Sequence, residues 1–118
     1  MLVYDITLQS KGYMIDFNRF TNIKSGLDWS ENRAEIFLND SSRFSNVRYM
    51  TKYPLIEFLI SVYDNKSLRY DKEEMLFYYF PSRKIYHDPY SHKRISKKLV
   101  KSICTDQKKR IAAVGGVR

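Results

Sequence analysis

Pro54–Tyr63 reads PLIEFLISVY. Leu55, Phe58, Leu59, Val62 and Tyr63 follow one another at spacings of 3, 1, 3 and 1, and Pro54 stands where the first turn of a helix accepts proline. Ile56 and Ile60 widen the apolar face. The spacing predicts the central helix of the molecule, buried on more than one side and stopped by Asp64-Asn65-Lys66.

The flanking segments carry a different period. Leu2–Gln9 alternates, with Leu2, Tyr4, Ile6 and Leu8 facing one way. Ser10-Lys11-Gly12 supplies a turn, and Tyr13, Ile15 and Phe17 resume the alternation, so an N-terminal hairpin is expected. Asn18–Gly26 reads as a polar connection. Asp28-Trp29-Ser30-Glu31 has the spacing of a capping box, predicting a helix from Asp28 to about Leu38. Phe44–Met50 reads as a short strand.

Beyond the central segment, Met75–Phe80 is an unbroken apolar and aromatic run, expected as an inner strand. Pro81-Ser82-Arg83 turns the chain and Lys84–His87 returns as a second strand. After His87–Ser91, a helix is expected over His92–Cys104 with Ser91 as its N-cap. A short helix restarts at Thr105-Asp106 and runs through Ala113. The order predicts a single α+β domain over residues 1–118, with an antiparallel sheet of about four strands (two hairpins) and about three helices packed on it. Residues 91–118 form its basic C-terminal helix and tail.

Charge is divided unevenly. After position 81 there are eleven Lys and Arg against two acids, Asp88 and Asp106, while the first 81 residues hold ten basic and eleven acidic side chains. The whole net charge of +8 therefore lies in the last third, which points to an anionic partner. Arg94, Lys97, Lys98 and Lys101 fall at i, i+3, i+4 and i+7 of the expected helix, with no acid at i±3 or i±4. Lys93, Lys108, Lys109 and Arg110 extend the basic tract. A polyanion would relieve the repulsion and release counterions. The plainer alternatives are a solvated face, or pairing with acids of the first 81 residues.

Tyr86, His87, Tyr90 and His92 mix with these cations, and aromatic rings beside Lys and Arg can stack on unpaired bases. They could equally cover a sheet edge. No ribonucleoprotein octamer, GXXG loop or zinc knuckle is present. A helix-turn-helix lacks its pair of short helices, and a wing would follow its recognition helix rather than precede it. His87, Asp88 and His92 share no helical face and lack a further firm zinc ligand. Asp5, Asp16 and Glu35 are too scattered to predict a metal-dependent nuclease. Cys104, the sole cysteine, is expected as a buried thiol, and pairing it with His87 or His92 has no supporting context. No phosphate-binding glycine loop or nucleophile elbow exists, and no metal or cofactor is expected.

A lone cysteine, the lack of a long apolar stretch and an N-terminus unlike a signal peptide predict a soluble cytoplasmic protein. Small size and richness in Lys, Asn, Tyr and Ile resemble, in style, proteins of phages and mobile elements. The expected function is a non-enzymatic nucleic-acid-binding module. Its surface would comprise Lys93, Arg94, Lys97, Lys98, Lys101, Lys108, Lys109 and Arg110 with Tyr86 and Tyr90. The alternative is a protein-docking inhibitor or assembly protein of phage or mobile-element type that engages a nucleic-acid-handling partner. The expected partner is thus nucleic acid or a protein that handles it, with no membrane.

Overall fold

A computed structural model of the chain describes residues 1–39, 55–66 and 71–115, with residues 114 and 115 as backbone only. Strands β1 (Leu2–Ser10) and β2 (Tyr13–Phe20) form the N-terminal hairpin. Lys11 and Gly12 both take positive φ, 49° and 86°, as a two-residue turn matched to strand twist requires. The ladder slips between Leu8 and Gln9, which leaves Ile15 as an extra residue. Beyond this bulge β2 continues to Phe20, past the expected end at Phe17.

Helix α1 spans Ile23–Asn39 and begins earlier than the capping box predicts. Asn22 Oδ1 accepts from the Ser25 amide at 3.0 Å and caps the helix there. Asp28 is consequently a residue of the helix interior, and its carboxylate takes Lys24 one turn back at 2.9 Å. Gly26 lets the helix lie close on the sheet, near Ile6 and Phe20.

The central helix expected over Pro54–Tyr63 is a strand, β3 (Ile56–Asp64). Its sequence carries two periods at once. Ile56, Phe58, Ile60 and Val62 also recur every second residue, and all four are buried on one face. Three of them are β-branched, which suits an extended chain packed on both edges. Strand β1 pairs antiparallel on one side of β3, and β4 (Glu73–Phe80) on the other.

Strand β5 (Ile85–His87) follows a turn in which Lys84 takes φ 53° and donates its amide to Phe80 O at 2.8 Å. Here the expected helix over His92–Cys104 gives way. Asp88 Oδ2 accepts from the Ser91 amide at 2.6 Å, His92 takes φ 61°, and the chain reverses into a short strand, β6 (Arg94–Ile95). Ser91 therefore belongs to a hairpin loop. Helix α2 (Lys97–Thr105) starts only after Ser96, whose hydroxyl accepts from the Leu99 amide at 3.0 Å. Asp106 ends α2 and caps α3 (Gln107–Gly115), accepting from the Lys108 amide at 2.9 Å; the short restarted helix is present as expected.

The result is α+β, with a six-stranded antiparallel sheet in the order β2-β1-β3-β4-β5-β6 and three helices. The antiparallel α+β class stands; the two additional strands are β3, expected as a helix, and β6, expected inside one. Tyr4, Ile6 and Leu8 of β1, the even positions of β3, and Met75, Phe77 and Tyr79 of β4 form one buried face. Leu27, Ala34 and Phe37 of α1 and Val100 and Cys104 of α2 belong to the same core. Phe58, Tyr79 and Tyr86 stack within it, with centroids 5.1 Å and 4.8 Å apart along that series. The expected strand at Phe44–Met50 lies outside the described residues.

Candidate nucleic-acid interface

Nine of the eleven cations of the last third fall into two groups. Lys97, in the first turn of α2, reaches α1, where it pairs with Asp28 and with Glu31 at 3.1 Å. Burial opposes its charge, but the hydrogen bonds to Asp28 and Glu31 outweigh that and raise its pKa. Arg110 is 5% exposed, donates to Cys104 O at 2.9 Å and pairs with Glu73 at 3.4 Å. Lys84 lies 3.7 Å from Glu35. These three are joined to acids of the first 81 residues. The first two correct the sequence reading: Lys97 and Arg110 hold helices in place and offer no free charge.

The second group has no carboxylate partner among the described residues. It comprises Lys93, Arg94, Lys98, Lys101, Lys108 and Lys109. Arg94 lies on β6, at the sheet edge, rather than on a helical stripe with Lys98 and Lys101. Lys98 and Lys101 are one turn apart on α2, and Lys109 Nζ reaches back from α3 to Ser102 Oγ at 2.6 Å. The turn at Asp106 thus folds the basic start of α3 against α2, and brings Lys109 to Ser102, on the helix that carries Lys98 and Lys101. No reading of helical spacing alone places Lys109 there.

The aromatic residues divide as well. Tyr90 is exposed in the β5–β6 loop, three residues before Lys93 in the chain. Tyr86 is 3% exposed and its hydroxyl donates to Glu31 Oε2 at 2.6 Å, so its ring is closed to a base; this corrects its assignment to the binding surface. His87 Nδ1 lies 3.2 Å from His92 O, and the His87 ring packs edge-on to Phe80. Among the described residues no three His, Cys, Asp or Glu side chains group to hold a metal, and no helix is long and apolar enough to cross a membrane. Cys104 is buried, and burial pushes its thiol up to about 12.

A cleft of about 580 Å³ lies between α1, the β5–β6 edge and the start of α2. Tyr79 and Tyr86 line it, with Glu31 and Glu35 on the α1 side and Arg94 and Ser96 on the other. The sequence reading passed over it. Glu31 and Glu35, four apart on one helix, are the one signal that could have marked a wall. The opposing wall depends on β6, which the helical reading of His92–Cys104 concealed. Comparison of the chain with protein-family models, curated proteins and solved structures finds no match.

Proposed function

We propose that the protein is a non-enzymatic nucleic-acid-binding module whose binding surface is Lys93, Arg94, Lys98, Lys101, Lys108 and Lys109, with Tyr90 at its margin. The carrying observation is that these cations stay unpaired by carboxylate among the described residues, although the fold pairs Lys84, Lys97 and Arg110 with acids. Lys98 and Lys101, one turn apart on α2, repel each other, and a row of phosphates removes that repulsion while releasing counterions. Such a surface reads the backbone of nucleic acid rather than its sequence.

Binding to labelled single-stranded and duplex oligonucleotides across a salt series tests this. Joint replacement of Lys98, Lys101 and Lys108 by Ala is expected to weaken binding to all sequences about equally. It is also expected to flatten the salt slope on duplex by roughly 0.9 for each phosphate that the variant no longer neutralises. An unchanged slope and affinity in that variant defeats the proposal.

A second reading, docking onto a protein that handles nucleic acid, draws on the other end of the sheet. Strand β2 is an edge, and Tyr13, Met14 and Phe17 on it are 73%, 69% and 46% exposed. An edge strand with exposed apolar side chains can add a partner strand. Recovery of a protein partner from nuclease-treated lysate, abolished when Met14 and Phe17 are replaced by Lys, favours this reading. Disappearance of every partner on nuclease treatment favours the first.

A further inference from the structure

Strand β2 is an edge whose outward amides are already taken. Met1 O accepts from the Asn65 amide at 3.1 Å, one step beyond the Leu2–Asp64 pair of the β1–β3 ladder. Antiparallel strands bond through alternate residues, so the odd positions of β1 turn their backbone to β3 and the even ones turn it to β2. Tyr4, Ile6 and Leu8 therefore bond Phe20, Asn18 and Asp16. Phe17 and Arg19, which alternate with these, point their amides away from the sheet. Each amide is met by the side chain just before it. Asp16 Oδ1 accepts from Phe17 at 2.8 Å, and Asn18 Oδ1 accepts from Arg19 at 2.8 Å.

Apart from the bulge at Ile15, the usual defences of an edge are missing. Strand β2 carries no Lys and no Pro. Its two charges are engaged within the chain, Asp16 with Arg33 at 2.8 Å and Arg19 with Asp5 at 2.7 Å. Tyr13, Met14 and Phe17 are exposed on it. An eight-residue edge with such side chains invites pairing with a second copy of the chain. A two-fold pairing centred on Phe17 sets Phe17 opposite its own copy, with each Phe17 amide on the other's carbonyl. That is the amide that Asp16 holds.

We infer that Asp16 and Asn18 close β2 to strand addition, and so keep the chain from pairing edge to edge with a second copy. A joining strand must first displace both side chains, at the loss of two hydrogen bonds. The outward carbonyls stay open, but acceptors alone do not make a ladder. The inference goes beyond the nucleic-acid reading and sets a condition on the docking reading. A partner strand that pairs with β2 has to displace Asp16 and Asn18, whereas a partner held by the Met14 and Phe17 side chains alone does not.

Sedimentation velocity of the full chain over a concentration series tests this, with far-ultraviolet circular dichroism as the check on folding. The parent is expected to be monomeric. Joint Asp16→Thr and Asn18→Thr removes both acceptors and keeps polar side chains that suit a strand. This double variant is expected to self-associate, with a dimer dissociation constant at least about tenfold lower than the parent's. Arg33→Gln breaks only the other contact of Asp16 and is expected to stay monomeric. Adding Phe17→Lys to the double variant is expected to restore the monomer, which places the contact on β2. A double variant no more associated than the parent overturns the inference. So does a parent that already dimerises and loses the dimer with Phe17→Lys, or an Arg33→Gln variant that associates as strongly as the double one. Should the double variant not fold, amide hydrogen exchange in Asn18→Thr decides. Its Arg19 amide is expected to exchange about fivefold faster than in the parent, with the Phe17 amide unchanged. Equal exchange at Arg19 in the two proteins overturns the inference as well.

Discussion

Tyr86 of β5 donates its hydroxyl to Glu31 Oε2 of α1 at 2.6 Å, inside a ring packing that leaves Tyr86 3% exposed. Burial and then the Glu31 carboxylate push the phenol pKa far above its ordinary value, so the group remains a donor at any working pH. The bond ties the short outer part of the sheet to α1, and Glu31 passes the connection on to Lys97 and thus to α2. Tyr86→Phe keeps the ring and its stacking on Phe58 and Tyr79 but leaves the carboxylate short of one donor. The expected cost is about 1.5–3 kcal/mol, the range for a hydrogen bond to a charged group. Urea unfolding should show a lower midpoint at an unchanged slope, because the surface exposed on unfolding stays the same.

Gly26 sets how closely α1 approaches the hairpin. A Cβ there would stand 2.8 Å from Ile6 Cδ1 and 3.1 Å from Phe20 Cδ2. Alanine gains about 1 kcal/mol of helix propensity over glycine, while overpacking a filled site costs about 1–3 kcal/mol. Ile6 is fully buried and has little room to move. Gly26→Ala is therefore expected to destabilise by about 1 kcal/mol in denaturant unfolding, against the sign that propensity alone predicts. A more stable variant would show that Ile6 yields.

The hairpins were legible because period two has no rival in Leu2–Gln9, and because six successive apolar residues at Met75–Phe80 admit few placements. Ile56–Asp64 was not legible from spacing. Its apolar residues are so dense that both periods fit, and the choice is made by β1 and β4 pairing on either side of it, which no local pattern reveals. The same holds for Arg94-Ile95. A two-residue strand has no period, and its existence follows from the Asp88 loop and from Ile95 lying opposite Tyr86. With β6 hidden, the cleft was hidden too. The uneven charge was plain from composition, but which cations are spare was not. Lys97 meets Asp28 and Glu31 across 69 and 66 residues of chain, so an inspection of neighbours at i±3 and i±4 finds no acid.

The pairing of Lys97 with Asp28 predicts a pH dependence. Hydrogen bonds from Lys97 and then Lys24 hold the Asp28 carboxyl down at about 2. The folded value lies below the unfolded one of about 3.9, so the contribution is present above about pH 4 and disappears as pH falls through about 2. For Lys97 the folded value is raised, and its contribution is present below the ordinary lysine range and lost as pH climbs through the folded value. The Asp28 side chain is 45% exposed, so solvent screening limits the effect to about 1 kcal/mol or less. Thermal unfolding of Asp28→Asn is expected to show a shallower loss of stability on acidification over that interval than the parent. Parallel acid limbs would show that the pair contributes nothing measurable.

Cys104 tests whether the packing of α2 on the sheet is tight. It is fully buried, and burial pushes its thiol up to about 12, with the Arg110 charge only partly offsetting that. At pH 8 the group is therefore a neutral thiol, shielded as well from any reagent. Iodoacetamide is expected to leave the native protein unlabelled at that pH and to label it fully in guanidinium chloride. Glu73→Gln weakens the hold on Arg110, whose guanidinium also bonds Cys104 O, and so loosens the junction of α2 and α3. Its labelling under native conditions is expected to be faster than that of the parent. Equal rates for the two proteins would mean that the thiol is guarded by the core alone, and that the Arg110–Glu73 pair does not determine how often α2 opens.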